Sequence, residues 1–198
     1  EKLLETFDHY LQAQAPQQTV SVQERAAGVL LPVSALGGPG PIGSLDGAIE
    51  AIDWMAEAGF QTWQILPLGP TDTHGSPYSS WSAFSGNPAL VGLRWLHDQG
   101  LAGAPEDVAL ARSDYGERLD DKVERVCQGA ATLLSQPNHG LYARFVDWSA
   151  ANPWAEDAAL FRAIKKEQNG AGWWTWPHGL RDRNPEAIKA ARERLSVA

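Results

Sequence analysis

Cysteine is nearly absent from this chain: Cys127 is the only one, which excludes an internal disulfide. Long apolar runs are missing too. No stretch approaches the roughly 20 residues that span a bilayer, and the amino terminus lacks a signal-peptide core, so the cytoplasm is the expected compartment and a membrane is not an expected partner. Basic residues are scarce in one telling place. Between Gln61 and Gly92 there is no Lys or Arg, which argues against a phosphate cradle there. The net charge is −8, almost all of it carried between Glu1 and Gly100, so nucleic acid is not an expected partner. Arg181, Arg183, Lys189, Arg192 and Arg194 alternate with Asp182, Glu186 and Glu193, the pattern of a solvated helix rather than a phosphate-binding stripe. His9, His74, His97, His139 and His178 have no metal-ligand spacing, so no metal or other cofactor is expected.

What the chain does have is a short apolar strand that runs directly into a polar, aromatic loop. Gln61 to Leu66 reads as the strand, and Pro67, Gly69 and Pro70 end it. The loop over 67–88 then offers Ser76, Tyr78, Ser80, Ser82 and Asn87 as uncharged hydrogen-bonding groups, with Tyr78, Trp81 and Phe84 as flat apolar faces. Such a surface suits a neutral polyhydroxylated ligand, because a sugar presents hydroxyl edges to the first set and C–H faces to the second.

The flanking residues sharpen this expectation. Arg25-Ala26-Ala27-Gly28-Val29-Leu30-Leu31-Pro32-Val33-Ser34-Ala35-Leu36 leads to a Gly-Pro-rich turn ending Ile42-Gly43-Ser44-Leu45. Next comes Trp63-Gln64-Ile65-Leu66-Pro67-Leu68-Gly69-Pro70-Thr71, then Ser76-Pro77-Tyr78-Ser79-Ser80 and Ser82-Ala83-Phe84-Ser85-Gly86-Asn87-Pro88. In this order these motifs resemble the amino-terminal part of the amylomaltases, the 4-α-glucanotransferases or disproportionating enzymes of glycoside hydrolase family 77. The likeness continues more weakly through Asp157 to Phe161 with Lys165, Trp173, Trp176-Pro177 and Leu180 to Arg183.

The resemblance implies an α/β fold: the amino-terminal part of a (β/α)8 TIM-type barrel with a mostly helical subdomain. It implies transfer of α-1,4-glucan segments between maltodextrins by a retaining double displacement without cofactor. Ser76 and Tyr78 would bind the glucan, while Ser80 and Asn87 would support the loop. Two positions depart from the family pattern. Asp72-Thr73-His74-Gly75 replaces a stretch in which many relatives carry a Tyr thought to serve a secondary glucan contact, and Ser44 replaces an acid, where it is expected to N-cap the next helix.

Length limits what this chain can do. A complete eight-stranded barrel takes about 250 residues, against 198 here, and the family's nucleophilic Asp, acid/base Glu and further transition-state Asp lie beyond the region of resemblance. A retaining transfer needs two carboxyl groups roughly 5 Å apart. Asp46, Glu50, Asp53 and Glu57 are spaced instead as one solvent face of a helix, opposite Ile49, Ile52 and Met55 or Ala56, and Asp72 reads as a turn former. The catalytic set is therefore expected to be empty and the chain alone inactive. It also begins at Glu1 without Met, which reads as a processed, trimmed or incomplete sequence. A glucan-binding protein without turnover and a structural remnant are the alternatives. Two or three parallel strands leave open edges, so the chain is expected to need the rest of the barrel, covalently or from another chain, and to be poorly soluble alone.

Two regions are expected. Residues 1–100 hold the first βα units: a lead helix Leu3 to Gln14, strands Gly28 to Leu31 and Gln61 to Leu66 in parallel around a helix Asp46 to Ala58 closed by Gly59, a short strand Leu90 to Leu93, and a turn of helix Arg94 to Gln99. Residues 101–198 read as a mostly helical subdomain, with helices near Asp114 to Ser135, Leu141 to Ala150, Ala155 to Gln168 and Pro185 to Leu195. Cys127 falls in a stripe with Leu119, Val123, Val126, Ala130 and Leu134 and is expected to be buried, and Trp173, Trp174 and Trp176 are expected to pack between helices.

Overall fold

The computed structural model describes residues 25–40, 42–72, 74–105 and 115–195. The expected lead helix at Leu3 to Gln14 lies outside these residues. Two short strands, β1 (Gly28–Leu30) and β2 (Thr62–Gln64), pair in parallel, Gly28 opposite Thr62, Val29 opposite Trp63 and Leu30 opposite Gln64. Backbone bonds from Leu31 to Gln64 and from Gln61 to Ala27 extend the ladder by one step at each end. Pro32 and Pro67, which have no N–H to give, stop it. Helix α1 (Ala48–Glu57) makes the crossover that parallel pairing requires. It ends as expected at Gly59, whose φ of +82° lets the Gly59 and Phe60 N–H groups turn back to the carbonyls of Ala56 and Met55.

The approach to α1 differs from expectation in two respects. Ser44 has the extended backbone of an N-cap, but its hydroxyl caps nothing and is fully buried. Asp46 does not join Glu50, Asp53 and Glu57 on a hydrated face. The chain first makes a 3-10 turn, Leu45–Gly47, which rotates the Asp46 carboxylate inward to accept from the N–H groups of Arg94 at 2.9 Å and Trp95 at 3.1 Å. Close backbone approach makes this path possible: a Cβ at Gly43 would strike the carbonyl oxygens of Ser34 and Leu36, and one at Gly47 the backbone of Gly37. The apolar face expected for α1 is also only partly covered, since Met55 is buried while Ile49, Ile52 and Trp54 are about half exposed.

No strand forms at Leu90 to Leu93. Asn87 and Pro88 start a 3-10 turn there, Pro88–Leu90, and helix α2 (Leu93–Asp98) follows. Helices α3 (Tyr115–Leu134), α4 (Gly140–Ala151) and α5 (Trp154–Glu167) come next, then a 3-10 turn Trp173–Thr175, a single turn α6 (His178–Arg181) and α7 (Pro185–Leu195). Lys165 donates to the Gly170 carbonyl where α5 ends.

Three apolar clusters hold these elements. Ile42 and Ala89 pack on Leu119 of α3; Leu93, Leu96 and Leu101 pack on Val126, Leu133 and Leu141; and Leu160, Ile164, Trp176 and Ala191 join α5 to α7. The sealed side of α3 runs through Leu119, Lys122 and Gly129. Cys127 lies 100° further round from Val126 and is exposed, contrary to expectation. Of the three clustered tryptophans only Trp176 is buried; Trp173 and Trp174 are 52% and 66% exposed, because the 3-10 turn points them outward.

Candidate functional site

The loop after β2 is closed at its base by a 2.7 Å bond from the Asn87 N–H to the Leu68 carbonyl. Its shape is set by short side chains folding onto their own backbone. Asp72 Oδ1 accepts from the N–H groups of His74 and Ser76, so this acid does form a turn. Ser80 Oγ donates to the Ser82 carbonyl at 2.8 Å, Ser82 Oγ accepts from the Ser85 N–H at 3.1 Å, and Asn87 Oδ1 accepts from the Ala89 N–H at 3.0 Å. Ser76 is half-buried beside this scaffold, and Tyr78 projects from it at 76% exposure.

Helical elements buttress the loop from two sides. Gly75, at φ +77°, lies against the ring of Tyr115 in the first turn of α3, where any Cβ would collide with that ring. Burial pushes the Tyr115 phenol pKa up, partly offset by the guanidinium of Arg118, whose carbon sits 5.7 Å from the ring centroid. On the other side Trp81 stacks on Phe161 of α5 with centroids 5.4 Å apart, Phe161 meets Trp176 at 5.1 Å, and Phe84 faces Trp154 at 6.2 Å. A cleft of about 240 Å³ opens between Trp81, Phe84 and Trp154.

Sequence reasoning missed this second wall. Asp157 to Phe161 carried a family pattern without a role, and Trp154 carried no signal, because only the tertiary fold brings α5 to the loop. Asp157 sits in the wall but is held by Arg183 at 3.0 Å and Arg192 at 3.2 Å. The assembled surface can therefore stack and hydrogen-bond a neutral ligand. Asp72 is engaged in its turn and Asp157 in ion pairs with two arginines. A larger space of about 460 Å³ between α2 and α3 shares no residue with the loop.

A family model described as 4-alpha-glucanotransferase matches residues 31–198. The chain is 36% identical over 183 residues to a 4-alpha-glucanotransferase of Synechocystis sp., covering 89% of this chain and 36% of that protein. It is 37% identical over 181 residues to the 4-alpha-glucanotransferase of Thermus thermophilus, covering 87% and 35% respectively. Its structure is similar to that of an amylomaltase from Streptococcus agalactiae solved in complex with acarbose, with a TM-score of 0.77 at 27% identity, over 87% of this chain and 36% of that one. The chain thus spans about a third of the length of the relatives it matches. The family match over most of its length establishes that this chain belongs to the 4-α-glucanotransferases, the amylomaltase family.

Proposed function

We propose that the complete polypeptide is a 4-α-glucanotransferase, moving α-1,4-glucan segments between maltodextrins by a retaining double displacement in the cytoplasm, and that this chain supplies one wall of its glucan cleft. The observation that carries the proposal is the loop itself: exposed rings at Tyr78 and Phe84 stand among uncharged hydroxyls, without Lys or Arg, directly after β2. The acarbose bound by the Streptococcus agalactiae amylomaltase, a structural relative, agrees with a glucan ligand. Tyr78 stacks on a sugar ring and Ser76 bonds to its hydroxyls, while Ser80 and Asn87 keep the loop in shape.

In this reading β1, α1 and β2 are the first βα units of a (β/α)8 barrel within residues 1–100, and 101–198 form the helical subdomain. Leu30, Ile49, Ile52, Ile65 and Leu68, each 41–56% exposed, are where further strands and helices pack, covalently continuous or from another chain. The nucleophile and the acid/base come from that remainder. Hydrogen bonding and stacking hold a glucan but do not replace them.

Product analysis with maltotriose tests the proposal, using the 198 residues alone beside a polypeptide extended through the downstream coding sequence. Glucose plus longer maltodextrins from the extended form only is the expected result. The same products from the short chain would place a catalytic pair among its own acids. Maltodextrin binding without products from either form would select a glucan-binding protein without turnover.

A further inference from the structure

Lys122 is the only charged side chain among the described residues to be fully sealed, with no solvent exposure at all. Its Nζ has no hydrogen-bond partner. From α3 the chain of this lysine runs under the Gly-Pro turn that follows β1, and the missing side chain of Gly40, at φ +109°, makes its room: a Cβ there would lie 3.5 Å from Nζ and 3.1 Å from Leu93 Cδ1. Behind the same turn the Ser44 hydroxyl is equally buried and also without a partner.

The charges around Nζ do not compensate for its burial. Asp46 attracts the ammonium, yet its two oxygens already cap α2, and Arg125 one turn along α3 repels it. Arg94, His97 and Asp98 lie on the exposed side of α2, and the Pro88–Leu90 turn brings no titratable group. Burial outweighs Asp46 and pulls the amine pKa down to about 8. A desolvated ammonium without an acceptor is costly. It has two ways out: lose the proton, or let the turn lift so that water reaches Nζ.

We propose that Lys122 is a proton-responsive latch beneath the turn of residues 37–40 and 42–47, which is held more tightly over the neutral amine than over the ammonium. The latch stands apart from the glucan reading. It works at the carboxyl end of β1, the edge from which the loop after β2 also leaves.

Amide hydrogen exchange on the polypeptide carrying these residues tests it, in the regime where exchange follows the opening equilibrium. The Gly43 N–H, bonded to the Ser34 carbonyl, and the Gly47 N–H, bonded to the Ser44 carbonyl, are the reporters; those of Gln168 and Ile188, in the distant α5–α7 unit, are internal controls. With the amine near 8 in the closed form and at its ordinary 10.5 in the open one, protection of the two reporters, corrected for intrinsic exchange, rises about tenfold from pH 7 to pH 9. The controls do not follow. In Lys122→Met the reporters are well protected at both pH values. Equal protection at the two values in the unmodified protein, a rise shared by the controls, or a rise that survives in Lys122→Met would each overturn the latch. The comparison of reporters with controls within the unmodified protein decides even if the variant fails to fold.

Discussion

Trp81 and Phe161, eighty residues apart in sequence, stack at 5.4 Å with their planes 30° from parallel, and this contact fastens the candidate glucan loop to helix α5. Phe161 passes the contact on to Trp176, so the loop is anchored to the core of the helical unit. Tyr78, three residues earlier, shares none of these ring contacts and stands 76% exposed. Of these two rings, one is held by packing and the other is left facing outward.

Trp81→Ala should lower stability by about 2–3 kcal/mol, short of a fully buried Trp because this ring is half-buried. Tyr78→Ala should stay within about 0.5 kcal/mol of the parent, yet weaken maltodextrin binding about tenfold, the worth of one aromatic stacking contact. Urea unfolding and calorimetric titration of the complete polypeptide separate the two. A stability loss in Tyr78→Ala equal to that of Trp81→Ala would contradict the division of labour.

Asp46 and Gly92 form one device. The carboxylate occupies the space a side chain at Gly92 would need and caps α2 through the Arg94 and Trp95 N–H groups. Asp46→Ala should cost about 2 kcal/mol, as loss of a two-bond cap. Gly92→Ala should also destabilise, by displacing that carboxylate, and the double variant should cost clearly less than the two single changes together. Strict additivity in denaturant midpoints would argue against the shared mechanism.

His139 works on two helices at once. Its Nδ1 accepts from the Leu141 N–H at 3.1 Å at the start of α4, which leaves the ring proton on Nε2 to donate to the Gln99 carbonyl at 2.8 Å, just past the end of α2. His139→Ala should cost about 1–2 kcal/mol, and His139→Asn, which keeps a capping oxygen but cannot reach Gln99, should recover part of it. No difference between the two variants in thermal unfolding would mean that the bond to Gln99 alone matters, and full recovery in His139→Asn that the cap alone does.

Glu167 and Arg194 join α5 to α7 by paired bonds of 2.8 and 2.9 Å. The hydrogen bonds from Arg194 hold the Glu167 carboxyl below its ordinary 4.5. A depressed acid contributes stability that is present above its ordinary value and lost as pH falls through the lowered one. Carboxyl NMR titration should show Glu167 moving back up in Arg194→Ala, with the acid sensitivity of that variant reduced below pH 4.5. An unmoved Glu167 would assign its shift to something other than Arg194.

Much of the frame was legible in the chain itself. The β1–α1–β2 unit followed from two apolar runs punctuated by Pro32, Gly59 and Pro67, and the bounds of α3, α4, α5 and α7 fell within a residue or two of their apolar periodicity, because such signals act locally. The order of motifs from Gly28 to Pro88 carried the resemblance to the family, which the match over residues 31–198 bears out. Close contact is why Gly43 and Gly47 must be glycine. Other features depended on which face met which neighbour, and periodicity leaves that open. Asp46 became a cap because a 3-10 turn rotated it toward α2, Cys127 ended outside because the seam of α3 ran one residue away, and Lys122 was sealed although lysine is among the least buried residue types. The wall that Trp154 and Phe161 present to the loop arises in the same way. Sequence determined the elements and the chemistry of the loop; tertiary packing decided what the loop leans on and which charge lies buried beneath its neighbour, because desolvation and stacking exist only between surfaces that the fold has already brought together.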